Sequence, residues 1–407
     1  MLKSESRPET SRHDVLDALR GFALFGIFFA NIPFFAGWLF VDNDAKLNIA
    51  GAELYDSFML FFIDGRFYTI FSFLFGLGFA LQLSRLQAKA SDHANYIYLR
   101  RLGILLIIGL LHHFVFWAGD ILTLYAVLGF ALFFVRHLSD TKILYLAAAF
   151  FLVPVIGYWA FWTLDINPSL GLYELTGQFV SGQANAGSFL AGFYEVVYTT
   201  DLLRFFELNT QLGTGRIGYY FDTWRIPKVF AVMLLGMWAG RRLVTNHLFN
   251  DEKLINRTIV IGLIIGLPSS IAYSTLSGLN SFQPHSTEGY ISVIAYTLAV
   301  FPLGFAYIAL FVKLWNNNSG LLKMFASPGR MALTNYLMQT VLGISIFYGI
   351  GFGLAIQYGP ASFVLIAILI FVLQVILSNI WLKHFQFGPV EWLWRVLTYG
   401  QWFKLKR

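Results

Sequence analysis

Long apolar runs alternate with short polar connections along nearly the whole chain. Ten of the runs extend for about 17 to 25 residues, the length a helix needs to cross a hydrocarbon core. They predict helical spans at roughly 15–36, 67–86, 99–117, 120–136, 143–163, 226–243, 257–276, 290–314, 331–350 and 361–382. Runs of this length fit helices and exceed what a barrel strand requires. The expected fold class is therefore all-α, a polytopic membrane helix bundle of about ten transmembrane helices. The first span is not read as a cleaved leader, because Asp17 and Arg20 sit at its start and no small-residue cleavage pattern follows.

Composition agrees with the pattern. Of 407 residues, 57% are hydrophobic and 12% charged, about half the charge of an average soluble domain. Too little polar surface remains to cover a globule in water, which excludes a soluble enzyme, a disordered chain and a fibrous repeat. The absence of Cys excludes disulfides, thiolate metal sites and Cys nucleophiles.

Charge sets the orientation. If the ten spans alternate, all but six of the 28 Lys and Arg fall on the side that carries both termini. The six are Lys46, Arg66, Arg204, Arg216, Arg225 and Lys228. The positive-inside rule then places both termini in the cytoplasm, with the chain multi-pass in a bacterial plasma (inner) membrane. Three regions follow: a cytoplasmic tail over 1–14, the bundle over 15–386 and a C-terminal segment over 387–407. The outer loop 164–225, part of the bundle region, carries six acidic and three basic residues. Within it Phe189, Leu190, Phe193, Val196, Val197 and Leu203 interleave with Glu195, Asp201, Arg204 and Glu207. This pattern predicts amphipathic helices that cover the outer face. From Phe387 onward a last helix is expected, with Pro389 in its first turn and Glu391 and Arg395 paired at i,i+4. Trp392, Trp394 and Trp402 mark it as a cytoplasmic interfacial helix.

Polar residues inside spans are costly and so candidate functional groups. Asp17 and Arg20 can pair, and Asn31 lies three turns beyond Arg20 on the same face. The equally simple alternative is helix packing with Arg20 snorkelling to the surface. Arg100 and Arg101 open the third span, and His112 and His113 stand near its outer end. The turn to Asp120 is short enough for a His–Asp contact, the usual arrangement of a general base. The bland alternative makes Asp120 the N-cap of the next helix. Asp64, Gly65 and Arg66 precede the second span, and Gly76 and Gly78 inside it suit close helix packing. Arg330 opens the ninth, where Asn335 and Gln339 share a face and either line a cavity or bond a neighbouring helix. No metal site is expected, since the other His are scattered and no HExxH occurs. No nucleic acid is expected, since the bases sit where topology requires them.

Several strings resemble those of the YeiB-like family of uncharacterised bacterial membrane proteins. They are Leu16 to Ile27 ending at Asn31, Phe71 to Phe79, Gly109 through Leu122, Gly329 to Gln339 and Gly388 to Arg395. That family in turn distantly resembles the transmembrane acyltransferase superfamily. The superfamily's sugar acyltransferases share the opening Asp-x-Leu-Arg, matched by Asp17 to Arg20, and place a His where this chain has Asn31. The resemblance implies transfer of an acyl group from cytoplasmic acyl-CoA to a hydroxyl or amine of an outer acceptor. On this reading Arg20, Arg100, Arg101 and Arg330 bind the donor phosphates. Asp17, Asn31, Arg66, Asn335 and Gln339 line the tunnel, and Arg66 or an Asn side chain steadies the oxyanion. The base is His113 or His112, held by Asp120, and His113 is preferred because Gly109 leaves space one turn before it. Acyl-CoA is a co-substrate, no tightly bound cofactor is expected, and membrane lipids surround the chain, with a homo-oligomer left open. The rival readings are a transporter or channel for a small anionic or lipid-like solute, with Pro154 and Pro302 near mid-span in its favour, and a non-catalytic envelope protein.

Overall fold

A computed structural model describes residues 9–41, 43–89, 93–172, 174, 194–246, 248–280, 286–318, 320–357 and 359–407. Among these residues the chain is an all-α bundle. Seven helical stretches are long and apolar enough to cross a membrane. They contain α1 (Glu9–Phe35), α2 with α3 (Ala52–Phe58 and Arg66–Lys89), α4 (Ala94–Leu111), α6 (Asp140–Leu164), α9 (Glu252–Asn280), α10 (Thr287–Asn316) and α13 (Pro360–His384). Two shorter apolar helices, α5 (Leu122–Val135) and α12 (Ala332–Phe347), and the charge-ended α8 (Arg225–Asn246) occupy the other three expected spans. Three more helices bear on the site, α7 (Leu202–Asp222), α11 (Ala326–Arg330) and α14 (Pro389–Tyr399), and short helices also lie at Asn43–Lys46 and 194–198.

Local chemistry sets several ends. Ser139 caps α6 and Ser286 caps α10 through their hydroxyls, satisfying amide groups that have no partner inside the helix. Pro360 and Pro389 occupy first turns, where a missing N–H costs nothing. Pro154 and Pro302 lie inside α6 and α10, both of which continue unbroken past them.

In the crossing stretches of α1 and of α2–α3, 67% of the residues are buried, against 17% in those of α6 and α9. The first two form the middle of the bundle and the last two its rim. Gly76 of α3 and Gly236 of α8 let two backbones meet. An added Cβ would stand 1.9 Å from the Met233 carbonyl oxygen at Gly76 and 2.1 Å from that of Phe73 at Gly236. Gly78 does not share this role and faces an internal cavity, 3.7 Å from Arg20 Nη2 to its added Cβ.

One stretch was not anticipated. α2 and a π turn over Met59–Ile63 run into Gly65, whose φ of 79° breaks the helix before α3. This π turn and the break extend the second span well before residue 67.

The start of α1 packs on α11, and α14 packs on the starts of α4 and α12. The described ends of the chain therefore lie at one end of the bundle, called here the near end. At the far end, α7 lies over the π turn His112–Phe116 that prolongs α4. Asp201 caps α7 through Leu203 N and Arg204 N at 2.8 and 3.2 Å. Val196, Val197, Phe205, Leu208 and Leu212 are buried beneath this cover, whereas Leu203 is 80% exposed. Of the expected cover residues, Phe189, Leu190 and Phe193 lie outside the described residues.

At the near end, Glu391 does not pair with Arg395. Its carboxylate turns inward and accepts from Leu333 N and Thr334 N, at 2.7 and 3.0 Å, and from the Thr334 hydroxyl. It thereby caps α12 from outside that helix. Arg395 instead lies over the rings of Phe387, Tyr399 and Phe403.

Candidate functional site

The centre of the site is built by the turn from α4 to α5. After Leu111 the backbone widens into a π turn, and Trp117 N closes on the His112 carbonyl at 2.7 Å. Trp117 then packs against Phe35 at 4.5 Å between centroids and fixes the corner. This returns Asp120 beneath His112, with Nδ1 2.8 Å from the carboxylate Oδ1. An ionised carboxylate only accepts, so Nδ1 carries the proton and Nε2 is left as an acceptor. Thr340 of α12 donates its hydroxyl to that Nε2 at 2.9 Å. His112, Asp120 and Thr340 are all buried.

Asp120 is held on several sides. Its Oδ2 accepts from Thr123 N at 2.8 Å, so it also caps the start of α5. Its carbonyl accepts from Tyr220 of α7 at 2.6 Å, and the Tyr336 hydroxyl of α12 lies 3.5 Å from Oδ1. Orientation of His112 and capping of α5 are thus combined in one carboxylate. His113 faces elsewhere. Its Nε2 donates to the Gly213 carbonyl of α7 at 2.8 Å, and the carboxylate of Asp120 is spent on its neighbour.

A cavity of about 270 Å³ runs from the near end toward this group. Arg20, Arg101, Arg330, Glu391 and Trp394 line its near end, and Ile121, Leu122, Tyr125 and Tyr336 its far end. Its middle is apolar, formed by Phe71, Leu74, Phe75, Leu102 and Leu105. Tyr336 belongs both to the cavity wall and to the surroundings of Asp120, so it stands between the two. Arg20 pairs with Asp17 at 2.6 Å, and Arg101 stacks on the Trp394 ring at 3.6 Å. Burial pushes the Glu391 carboxyl up, with its hydrogen bonds to Leu333 and Thr334 opposing that rise.

The family model described as "Protein of unknown function (DUF418)" matches residues 239–401. The chain is 32% identical over 409 residues to Uncharacterized protein YxaH of Bacillus subtilis (strain 168), covering 96% of this chain and 95% of the relative. It is 27% identical over 415 residues to Uncharacterized protein YeiB of Escherichia coli (strain K12), covering 95% of this chain and 96% of the relative. The chain belongs to the YeiB-like, DUF418 family. A third relative, Uncharacterized 39.9 kDa protein in amylase 3'region of Bacillus acidopullulyticus, is 29% identical over 97% of this chain and 96% of its own length.

Within this YeiB-like bundle, the residues singled out from sequence separate into three groups. Arg20, Arg101 and Arg330 gather at one cavity mouth, whereas Arg100 is exposed beside Gly400, outside the lining. His112 and Asp120 meet. Asn335 and Gln339 bind neighbouring helices: Asn335 Nδ2 reaches Ser378 at 3.0 Å and Pro328 O at 3.2 Å, and Gln339 Nε2 reaches Gln374 at 2.9 Å. They tie α12 to α11 and α13 and are not in the lining; nor are Asp17, Asn31 and Arg66. Arg66, fully buried, donates to the carbonyls of Leu60 and Asp64 and to Ser270 Oγ, closing the Asp64–Gly65 break. Sequence reasoning missed Thr340 and Tyr336. They repeat the i,i+4 spacing of Asn335 and Gln339 one residue on, about 100° around the helix, on the face toward His112.

Proposed function

We propose that this YeiB-like protein is a transmembrane acyltransferase. It takes the acyl group from an acyl-CoA at the near end and passes it to an acceptor hydroxyl or amine at the far end. The near end is cytoplasmic in this reading, in keeping with its excess of Lys and Arg. One observation carries the proposal: an apolar cavity runs from three arginines to Tyr336, whose hydroxyl lies beside the Asp120 of a buried His–Asp pair.

Arg20, Arg101 and Arg330 bind the donor phosphates by charge-assisted hydrogen bonds. The acyl thioester lies along the apolar wall toward Tyr336. The acceptor takes the place of the Thr340 hydroxyl at His112 Nε2. Its oxygen or nitrogen attacks the thioester carbonyl, its proton passes to Nε2, and the C–S bond breaks. That proton then leaves on the CoA thiolate. Asp120 holds Nδ1–H throughout and stabilises the imidazolium. The geometry favours His112 over His113 as base, because only His112 has both a carboxylate partner and an accepting nitrogen turned toward α12.

The test compares His112→Ala with His113→Ala in purified protein supplied with a hydroxyl or amine acceptor, reading CoA release from acetyl-CoA and octanoyl-CoA. Loss of a general base should cost His112→Ala roughly 10²–10⁴-fold in rate. His113→Ala should stay within a few-fold, since it loses a contact to the cover. Equal activity of His112→Ala and wild type would remove the His–Asp pair from the chemistry.

A further inference from the structure

The far end of the bundle holds six cations, and their partners divide them. Lys46 pairs with Asp56 at 3.5 Å, and Arg204 pairs with Glu207 at 2.9 Å. Arg66 is consumed by two carbonyls and Ser270. The other three, Arg216, Arg225 and Lys228, have no carboxylate within ion-pair distance among the described residues. Each lies over a tyrosine instead. Arg216 is 4.5 Å from the Tyr219 ring centroid and 5.4 Å from that of Tyr220. Arg225 is 4.3 Å from the Tyr68 ring and Lys228 4.0 Å from the Tyr296 ring. Lys228 is 6% exposed, and Arg216 Nε is buried without a hydrogen-bond partner.

A cation removed from water and left without an anion is expensive, and a ring face compensates only part of the loss. These three also stand on the side where cations are disfavoured. The Tyr68 and Tyr296 hydroxyls, whose rings lie under Arg225 and Lys228, are 3.4 Å apart, and Asp64, which accepts at 3.3 Å from the Tyr273 packed on Tyr296, leaves the cluster net positive. Tyr220 joins the cluster to the candidate site. Its ring lies under Arg216, and its hydroxyl donates to the Asp120 carbonyl at 2.6 Å.

We propose that Arg216, Arg225 and Lys228 form the acceptor's anion site and that the acceptor bears a phosphate group. Three cations offset by one acid suit a phosphate better than a single carboxylate. The phosphate is held beside Tyr220, and the acceptor's hydroxyl or amine reaches His112. The assignment of the ligand as acceptor rests on the acyltransferase reading; the anion site itself does not.

The experiment measures binding, not transfer. Full-length protein in phosphatidylcholine nanodiscs is titrated with inorganic phosphate and with glycerol 3-phosphate, and is separately assembled with phosphatidylglycerol. Thermal stabilisation and equilibrium binding are read for wild type, Lys228→Gln, Lys228→Met and Arg225→Gln. Removing one partner of a buried charge contact should weaken phosphate binding roughly thirtyfold or more. Lys228→Met should fold at least as stably as wild type in the absence of anion, since it removes an uncompensated buried charge. Stabilisation by glycerol 3-phosphate identifies a soluble acceptor, and stabilisation only by phosphatidylglycerol identifies a lipid headgroup. Wild type that binds none of these probes, or variants that bind them unchanged, would overturn the site. Destabilisation of Lys228→Met without anion would also overturn it, by making Lys228 a structural residue. Transfer from acetyl-CoA to glycerol 3-phosphate and phosphatidylglycerol is assayed separately, and anion binding without it would keep the site and remove the acyltransferase reading.

Discussion

Asp120 carries two tasks that substitutions can separate. Asp120→Asn keeps an oxygen for Thr123 N but presents an amide to His112 Nδ1, which disturbs the tautomer. The expected result is a fall in CoA release comparable with that of His112→Ala, with little change in melting temperature. Asp120→Ala should lose about 1 kcal/mol of stability as well, through the lost cap. A full rate in folded Asp120→Asn would show that the carboxylate serves α5 alone. At this scale the sequence was informative only in part. The closeness of His112–His113 to Asp120 was legible from their spacing in the chain. Which His meets the acid was not, because the choice rested on regular helical phase from Gly109. The chain leaves that phase at His112 by widening into a π turn. Asn335 and Gln339 were visible as a polar pair for the same reason that Tyr336 and Thr340 were not. Amides stand out in an apolar helix, whereas Tyr and Thr are ordinary there.

Among the elements, α14 shows how a surface pattern conceals an internal contact. Glu391 and Arg395 have the spacing of a solvent-exposed pair, so nothing local marks Glu391 as the cap of α12. The buried carboxyl is pushed up, so folding favours its protonated form. Stability from this group is therefore fully present below the ordinary carboxylate range and is lost as pH rises through the raised folded value. Protease resistance of the segment after residue 386 should thus increase on acidification toward that range. Glu391→Gln should flatten the dependence, and an equal slope in both proteins would assign it to other groups. The spans themselves were legible because twenty apolar residues in a row have few alternatives. α2 was not, since Glu53 and Asp56 dilute its apolar pattern and Gly65 interrupts its continuation into α3.

For the molecule as a whole, both described chain ends at one end of the bundle require an even number of crossings. The native chain has no Cys, so single introduced cysteines report cleanly on the sides. Leu203→Cys, at an 80% exposed position of the far cover, should react with an impermeant maleimide outside intact cells. Ala88→Cys, exposed at the near end of α3, should react only after permeabilisation. The reverse labelling would turn the molecule over and place the donor arginines outside.

The most direct measurement reconstitutes the chain in proteoliposomes and supplies labelled acetyl-CoA or octanoyl-CoA at the near end. Label is then followed on acceptors available only at the far end, with glycerol 3-phosphate and phosphatidylglycerol as the two offered. Wild type is expected to move acyl label across, and His112→Ala to lower that rate roughly 10²–10⁴-fold. Absence of transfer from either donor by folded wild type, or equal transfer by His112→Ala, would contradict the acyltransferase reading.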